Sequence, residues 1–421
     1  MKNHDTTPGG RLHTPTTPAA SDWTQSYWME ETPIVGRLEA PPKEGGILIV
    51  GSGLTGTSAA YWLDLAGFED LTIVDYEVEK SATFRNCGHI LYGTVESMLA
   101  LVSLHGEETA REVWQYSIEI CHEVRDTIAR LGIAADYRQD GYLVIAIDET
   151  EDDECRRSIE LLTRMGFASE YVSVPELKRL GFRNVHGGRF EPGSAQAHPV
   201  KFRNGLLRHS LTKGTKYFSG VKVSAIEEEG DHVIATTNYG KLRYDAAVIA
   251  TSAYSPLVSR FYAEKRLVEP FRGQIITSAP LKQRFPVLYP HSFDHGYEYA
   301  LVTPDNRLMI GGWRNNTPTR EIGTYDVMPN PSVDIGLQEF VQRHYAIDEK
   351  IEWEYSWAGI MDTSKTGFPF IGPTSSPRIF TCAGYTGHGF SWAHGSAKLL
   401  ADIMAGNPVA PVAKHFNPKF L

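Results

Sequence analysis

The first clear block of apolar and polar positions predicts a strand, a helix and a second strand. Residues 47–50 are four consecutive apolar residues, as in a strand buried on both faces of a parallel sheet. Glycines follow, and small and apolar residues then recur at helical spacing as far as Leu65, after which Gly67 ends the pattern. A second apolar run, residues 71–75, ends in a carboxylate. The block therefore predicts a complete β–α–β unit.

The glycines of this block have the spacing G-x-G-x-x-G, at Gly51, Gly53 and Gly56. Gly53 would let the backbone approach a pyrophosphate at the helix N-terminus, and Gly56 would let the helix pack tightly. Asp75 stands where it could accept a hydrogen bond from a ribose 2′-hydroxyl, and its charge would repel a 2′-phosphate. The unit predicts bound FAD or NAD rather than NADP, and the motif alone does not choose between the first two.

The remaining pattern predicts a second lobe and a return to the first sheet. A helical stripe over residues 95–131 predicts a long helical region that begins the second lobe. Strand-rich segments between residues 268 and 309 predict a second sheet. The buried run 245–252 predicts a strand beside the dinucleotide unit.

Composition and charge narrow the function classes. The chain has 421 residues, of which 42% are hydrophobic, enough for two or three lobes with buried cores. A formal charge of −10 without a basic run argues against nucleic acid or an anionic membrane as partner. No segment has the apolar length of a membrane span. Residues 1–22, rich in Thr, Pro and Gly, predict a disordered leader without the apolar block of a secretory signal.

The chain contains four cysteines, Cys87, Cys121, Cys155 and Cys382. Their spacing contains neither a C-x-x-C pair nor a zinc-ligand pattern. We therefore expect reduced thiols, a cytoplasmic location and no metal site.

Several ordered blocks carry a resemblance to a known family. The blocks are residues 47–75, 82–90, 246–252, 302–312, 357–362 and 382–390. In this order they resemble the D-amino-acid oxidase, glycine oxidase and sarcosine oxidase family of FAD-dependent amine oxidoreductases, over nearly everything after about residue 23. Arg85-Asn86, residues 303–305 and Trp357-Ala-Gly with Asp362 resemble motifs of γ-glutamylputrescine oxidoreductase-like members.

The resemblance implies an α/β fold and FAD as the cofactor. A Rossmann-type FAD-binding domain would join a substrate domain built on an antiparallel or mixed sheet. We expect the FAD-binding domain to be discontinuous, over residues 23–95, 190–265 and 352–421, and the substrate domain to cover residues 96–189 and 266–351.

The blocks also predict which residues contact FAD. The glycine-rich segment 384–389 precedes a helix whose N-terminus would stabilise negative charge on the reduced flavin. The full expected set is Gly51, Gly53, Leu54, Thr55, Gly56, Asp75, Tyr76, Arg85, Asn86, Cys87, Gly88, His89, Val223, Thr251, Ser252, Gly359, Gly384, Tyr385, Thr386, Gly387, His388, Gly389 and Phe390.

Cys87 departs from the family pattern, because the subgroup commonly has glycine at this position. Two hypotheses follow: a small packing residue, or a thiol that forms a covalent bond to the flavin. Relatives that attach flavin through cysteine place it near the Trp357-Ala-Gly block, where this chain has none. The resemblance therefore favours non-covalent FAD.

The substrate end departs from the family at four positions. Met361 and Asp362 stand where glycine-oxidase relatives have an arginine that binds the substrate carboxylate, which disfavours a simple α-amino acid. Ser391 and Met309 stand where sarcosine-oxidase relatives have lysines. The absence of a lysine at Ser391 disfavours N-methylglycine as substrate. The absence of a lysine at Met309 leaves open whether the reduced flavin reacts with oxygen.

Arginines are the candidates for binding a carboxylate on the substrate. Arg272 lies on a strand that the family uses to border the flavin, and Arg85 and Arg314 are alternatives. For Arg314, a surface salt bridge is as good an interpretation of its role as binding of a substrate carboxylate.

The other candidate catalytic residues would contact the amine. A cationic amine is expected to pair with Asp362 or to pack against Tyr299 and Trp313, although aromatic residues on strands are more often core residues. His89 and His388 are candidates for proton transfer, although histidines in glycine-rich turns are usually structural.

The residues and the resemblance together imply an amine oxidoreductase. The expected reaction oxidises a primary or secondary amine that carries a carboxylate to an imine, with hydride transfer to flavin N5, imine hydrolysis in water and reoxidation by O2. One alternative is a flavin dehydrogenase of N-substituted amino acids that uses another electron acceptor. An alternative of a different class is a non-catalytic FAD-binding subunit or sensor.

Overall fold

The structure is a computed structural model of the chain and describes residues 24–420. The predicted leader, residues 1–22, lies outside the described residues. The strands are β1 (Glu44–Val50), β2 (Leu71–Asp75), β3 (His89–Ile90), β4 (Tyr142–Ala146), β5 (Glu170–Val172), β6 (Gly187–Glu191), β7 (Ala195–Gln196), β8 (Lys216–Ser219), β9 (Val223–Glu229), β10 (His232–Thr237), β11 (Gly240–Ile249), β12 (Val268–Ser278), β13 (His291–Phe293), β14 (Glu298–Val302), β15 (Leu308–Gly311), β16 (Trp353–Ser364), β17 (Phe370–Pro373) and β18 (Ile379–Ala383). The α-helices are α1 (Leu54–Leu65), α2 (Met98–His105), α3 (Glu107–Leu131), α4 (Glu149–Arg164), α5 (Val174–Arg179), α6 (Pro199–Thr212), α7 (Ser255–Val258), α8 (Arg260–Lys265), α9 (Pro331–His344) and α10 (Gly389–Ala405).

The predicted β–α–β unit is confirmed at the centre of the first sheet. Strand β1 pairs in parallel with β2 on one side and with β11 on the other. The strand order is β17-β18-β11-β1-β2-β8, and β10 and β9 extend from β11 as an antiparallel meander. The strand predicted over residues 245–252 is the end of β11, beside β1 as expected. The carboxyl ends of β1 and β2 therefore meet at one edge, where ligands bind in open α/β sheets.

The second sheet is mixed, as the resemblance implied. Its order is β16-β12-β15-β14-β13-β4-β6-β5, and only the described pair β13–β4 is parallel in it. Side chains alternate between its faces. Leu143 and Ile145 are buried in a cluster with Leu337 of α9, whereas Val144 between them lies on the opposite face and lines a cavity. One face thus packs on helices and the other is free to bind a ligand.

Two sequence predictions about this region differ from the structure. The helical region predicted over residues 95–131 is present, but it is divided into α2 and α3, because Gly106 between them has φ +81° and interrupts the helical backbone. Strand β16 pairs with β12 along its length and so belongs to the second sheet, although the sequence grouped it with the FAD-binding segment that begins at residue 352.

The α/β class is confirmed by these two sheets and their helices. Among residues 24–420, no helix combines the length and apolar character needed to cross a membrane. All four cysteines are buried and free of disulfide bonds.

Candidate active site

A cavity of about 1440 Å³ is lined by residues from both sheets. At one end its wall is formed by the β1–α1 turn with Gly51 and Gly53, and by Asp75 at the end of β2. At the other end its wall is the open face of the second sheet, including Tyr142 and Tyr299. The cavity therefore connects the predicted dinucleotide site to a separate binding surface.

The glycine turn fits a bound dinucleotide. Gly51 has φ +106°, and a Cβ built on it would lie 2.5 Å from the carbonyl oxygen of Ala250. A Cβ on Gly56 would overlap the carbonyl oxygen of Gly51, so only glycine lets α1 pack this closely on β1. Gly53 lines the cavity at the N-terminus of α1, where free N–H groups and the helix dipole favour a pyrophosphate.

Asp75 is placed as the ribose hypothesis requires. It ends β2 and lines the cavity, and its Oδ2 accepts the backbone N–H of Ser52 at 2.5 Å. Burial raises the pKa of the Asp75 carboxyl, while the hydrogen bonds from Ser52 act in the opposite direction. Its other oxygen accepts no hydrogen bond from the described residues, which leaves an acceptor for a ribose hydroxyl.

A buried arginine that sequence reasoning missed supports the same turn. Arg203 of α6 is fully buried, and its Nε donates to the carbonyl oxygen of Ser52 at 2.8 Å. Its Nη2 donates to the Ser52 hydroxyl at 3.0 Å and to the Tyr217 hydroxyl at 3.2 Å. The sequence around Arg203 contains no motif that marks this arginine as buried.

The segment after β2 is held in shape by Arg85 and Asn86, which both line the cavity. The Arg85 guanidinium donates to the carbonyl oxygens of Ala358 at 2.6 Å, Thr24 at 2.9 Å and Glu79 at 3.0 Å. Asn86 accepts the Gly88 N–H at 2.7 Å. Because carbonyl oxygens already occupy its guanidinium, Arg85 positions this segment rather than binding a substrate carboxylate.

Cys87 and His89 follow on the same cavity wall. Burial raises the pKa of the Cys87 thiol, so the thiol stays protonated at neutral pH. The His89 Nε2 lies 3.1 Å from the carbonyl oxygen of Ala300; since a carbonyl only accepts, Nε2 carries the hydrogen and Nδ1 is an acceptor. Burial lowers the pKa of His89 to about 3, so its ring is neutral.

His388 is the N-cap residue of α10 and lines the cavity. Its Nδ1 is buried and has no hydrogen-bond partner among residues 24–420. Burial lowers the pKa of His388 to about 4, so this ring is also neutral near pH 7. A buried nitrogen without a partner marks a position where a bound ligand would supply one.

Asp362 has a different role from the predicted amine partner. Its carboxylate accepts the backbone N–H groups of Gly384 at 2.8 Å and Tyr385 at 3.2 Å, and the Ser252 hydroxyl at 3.1 Å. Burial raises the pKa of Asp362, and these hydrogen bonds oppose that effect. The carboxylate thus joins β16 to the glycine-rich segment before α10, and its hydrogen-bonding capacity is used within the fold.

Arg272 does not reach the cavity, contrary to the prediction. Its Nε donates to Glu321 at 2.5 Å, and its Nη1 donates to Asp326 at 2.9 Å. The neighbouring residues Phe271 and Gly273 line the cavity instead. Since side chains alternate along a strand, Arg272 lies on the other face of β12.

Trp313 is also outside the cavity. Its ring lies 6.2 Å from the Phe340 ring and fills the space above Gly336, where a Cβ would overlap the indole. Trp313 is therefore a packing residue between the β15 end and α9, as the alternative for aromatic residues anticipated.

The cavity brings together most of the predicted residues. The predicted residues on its wall are Gly51, Gly53, Leu54, Thr55, Asp75, Tyr76, Arg85, Asn86, Cys87, Gly88, His89, Val223, Thr251, Ser252, Tyr299, Gly359, Asp362, Tyr385, Thr386, Gly387, His388, Gly389 and Phe390. The structure leaves Gly56, Arg272, Trp313 and Gly384 out of the wall.

Sequence reasoning missed the part of the wall that four strands of the second sheet build. Arg189 pairs with Val144, Val144 with Ser292, and Ser292 with Tyr299, across β6, β4, β13 and β14. All four residues line the cavity. They lie far apart in sequence, and only the sheet register brings them into one row.

A group of possible metal ligands lies where β13 ends. Oxygen or nitrogen atoms of Glu151, Asp294 and His295 lie within 4.8 Å of one another. The Glu151 carboxylate accepts the backbone N–H groups of Ile147 and His295, both at 2.7 Å. These hydrogen bonds within the fold account for the position of the Glu151 carboxylate.

The glycine turn, the acidic end of β2 and a cavity that extends over a second sheet are the features of a protein that binds a dinucleotide beside a second ligand. The family model described as FAD dependent oxidoreductase (DAO) matches residues 46–403, and the chain belongs to this family.

Relatives with similar sequences extend over most of the chain. The probable oxidoreductase OrdL of Haemophilus influenzae is 23% identical over 367 residues, which cover 86% of this chain and 83% of that protein. A D-amino acid dehydrogenase of Xylella fastidiosa is 26% identical over 421 residues, covering 86% of this chain and 92% of that protein.

Solved structures share the fold. Glycine oxidase from Geobacillus kaustophilus has a TM-score of 0.72 at 19% identity, covering 89% of this chain and 98% of the other. Iminodiacetate oxidase from a Chelativorans species has a TM-score of 0.73 at 19% identity, covering 88% and 98%.

Proposed function

We propose that this FAD-dependent enzyme oxidises a primary or secondary amine to an imine, which water then hydrolyses. The observation that carries the proposal is one cavity whose wall runs from the glycine turn to a polar and aromatic surface on the second sheet. Bound FAD supplies the two-electron acceptor for a hydride from the carbon next to the amine nitrogen. The relatives and structural neighbours, which include a D-amino acid dehydrogenase, a glycine oxidase and an iminodiacetate oxidase, support the same class.

The cavity wall favours the uncharged amine. His89 and His388 are neutral because burial lowers their pKa values to about 3 and about 4. The Tyr299 hydroxyl lies on the same wall and has no hydrogen-bond partner among the described residues. An ammonium group beside these neutral side chains loses solvation without gaining a counter-charge from them, which lowers its pKa and favours the uncharged form that can give up a hydride.

The chain's residues then orient the amine. His89 offers Nδ1 as an acceptor for an amine N–H, since its Nε2 hydrogen is used by the Ala300 carbonyl oxygen. The Tyr299 hydroxyl can accept or donate beside it. Holding the reacting carbon in one orientation and excluding water are the contributions that the protein makes to such a reaction.

We further propose that FAD is held without a covalent bond. The Cys87 thiol is buried and protonated because burial raises its pKa, whereas covalent attachment through sulfur requires a thiolate. The packing alternative for Cys87 is therefore the one that we adopt.

O2 is the electron acceptor in this proposal. A dehydrogenase that passes electrons to another acceptor is the second candidate, supported by the dehydrogenases among the relatives. Release of hydrogen peroxide during turnover in air separates the two, because only the oxidase produces it.

The test mixes purified protein anaerobically with a panel of amines and records the flavin absorbance. The panel contains primary amines, N-methyl amines, γ-glutamylputrescine, iminodiacetate and D-amino acids. Bleaching by at least one amine is expected. A flavin that every amine leaves oxidised would refute the proposal and favour a non-catalytic FAD-binding subunit.

A matched pair of tyrosine variants locates the reaction. Y299F removes a hydroxyl on the cavity wall, and Y239F removes one from an exposed tyrosine of the β10–β11 turn. Slower bleaching in Y299F with wild-type behaviour in Y239F is expected. Equal rates in both variants would remove Tyr299 from the site.

A further inference from the structure

A buried ion pair lies on the cavity wall at the end formed by β6. Arg189 is 8% exposed and Glu191 is 2% exposed, and Nη1 of Arg189 donates to Oε1 of Glu191. Both side chains line the cavity. A charged pair at this depth is costly to bury, so its presence in a binding cavity needs an explanation beyond stability.

The arginine has donors that the fold does not use. A guanidinium group carries five N–H donors, and among residues 24–420 only Glu191 accepts a hydrogen bond from that of Arg189. Nε and Nη2 are therefore open, and this edge of the guanidinium binds a carboxylate through two parallel hydrogen bonds. Neither nitrogen is among the buried polar atoms without a partner, so both remain accessible from the cavity.

Glu191 prepares the arginine for this role. It fixes the guanidinium by one end, and its own Oε2 lies 3.5 Å from the Ser194 hydroxyl. Beside the pair, the Tyr142 hydroxyl donates to the Ser292 hydroxyl at 2.5 Å. The open donors thus belong to a largely buried side chain on the cavity wall, where a charge-assisted hydrogen bond is stronger than in water.

The register of the sheet gives the distance from the reacting end. Arg189 and Tyr299 lie in the same cross-strand row, three strand spacings apart. At about 4.8 Å per spacing, their backbones are roughly 14 Å apart. Side chains stand roughly perpendicular to a sheet, so this backbone separation favours a substrate whose carboxylate lies several carbons from its amine over an α-amino acid, in which the two groups share one carbon.

We propose that Arg189 binds a carboxylate at the far end of an extended substrate. The substrate class is an amine whose carboxylate is separated from the oxidised carbon by a chain long enough to span the second sheet. This inference rests on the proposed function, since it assumes that the amine reacts beside His89 and Tyr299. Arg189 is thus a specificity-determining residue, in the role that the sequence assigned to Arg272.

The test compares two series of straight-chain substrates. One series is ω-amino carboxylates with two to eight methylene groups, and the other is alkylamines of matched length. Anaerobic flavin bleaching gives the half-saturating concentration and the limiting rate for each. In the wild-type enzyme, affinity for the amino carboxylates is expected to rise once the chain is long enough for its carboxylate to reach Arg189 while the amine lies beside Tyr299. Alkylamines of the same length are expected to bind more weakly.

Three variants test whether the higher affinity for long amino carboxylates depends on Arg189. R189M/E191Q removes the arginine without leaving a buried carboxylate alone, and R189K keeps the charge but loses the two-donor edge. R164M is the control, because the Arg164 side chain is 64% exposed, pairs with Glu107 and is not part of the cavity wall. For the long amino carboxylate, R189M/E191Q is expected to raise the half-saturating concentration roughly tenfold to hundredfold, with the limiting rate little changed. R189K should lie between that variant and wild type, and R164M should match wild type.

Binding of octanoate to the oxidised protein, followed by the change in flavin absorbance, gives a readout that needs no turnover. Wild-type binding that is lost in R189M/E191Q and kept in R164M supports the proposal. It would be overturned by equal octanoate binding in all three proteins, or by amino carboxylates and alkylamines that lose affinity equally in R189M/E191Q. If no amine bleaches the flavin but octanoate binding depends on Arg189, the proposed function fails while the carboxylate site stands.

Discussion

Replacing Asp362 with alanine separates its two possible roles. The carboxylate accepts two backbone N–H groups, from Gly384 and Tyr385, and one hydroxyl, from Ser252. D362A leaves both buried N–H groups without an acceptor, which costs about 1–3 kcal/mol each, or roughly 2–6 kcal/mol in total. Because burial raises the pKa of Asp362, the charge itself is costly, so we expect the lower half of this range. Even that is a large part of the roughly 5–15 kcal/mol that stabilises a typical domain.

The assay is denaturant unfolding of the purified protein together with its flavin content. D362A is expected to unfold at a lower denaturant concentration than the wild type. It is also expected to retain less FAD, because the segment that Asp362 holds lines the cavity. D153A is the control: Asp153 is 64% exposed and pairs with Arg157 on the surface of α4, so its loss should cost less than about 0.5 kcal/mol. D362A with wild-type stability and flavin content, but weaker binding of cationic amines, would refute this reasoning and restore the substrate role.

Three further predictions concern the cofactor end and its histidines. G56A should yield protein with little bound FAD, since the added methyl group would push α1 from β1; wild-type flavin content would contradict the packing argument. Acid precipitation should release all of the flavin from the wild-type protein, and C87S should bind FAD as the wild type does; flavin that stays with precipitated wild-type protein but is released from precipitated C87S would show a covalent bond through Cys87. Burial lowers the pKa of His89 to about 3 and those of His291 and His388 to about 4, so below about pH 6.5 the unfolded chain binds more protons than the folded one. The stability that these rings contribute is complete above pH 6.5 and is lost as the pH falls towards 4; an unfolding midpoint that does not change over this range would contradict it.

The cofactor end could be predicted from sequence because its determinants are local. The glycines from Gly51 to Gly56 and the carboxylate of Asp75 lie within one β–α–β unit, and each has a direct steric or hydrogen-bonding reason to be there. The same holds for segment 384–389, which leads directly into α10. Short-range geometry decides these positions, so a motif is enough to place them.

Predictions from the sequence failed where one residue decides the face of a strand or the end of a helix, and where a side chain bonds to a distant segment. Arg272 lies between two cavity residues, and alternation along β12 places its guanidinium on the opposite face. Gly106 is one residue within a long apolar pattern, yet its positive φ separates two helices. Asp362 was recognised as important, but its hydrogen bonds to a segment more than twenty residues away are not visible in its own motif.

The substrate end of the cavity could not be predicted from the sequence, because strand pairing in the second sheet is what brings its residues together. Arg189, Val144, Ser292 and Tyr299 come from four strands, and their order across the sheet does not follow their order along the chain. No spacing rule relates residues that are joined only by register. This separation also has a functional consequence: substitutions in the row change which amine is bound without altering the turn that holds FAD. One flavin-binding frame can therefore serve substrates of different length, with the residue at the Arg189 position deciding whether a distant carboxylate is bound.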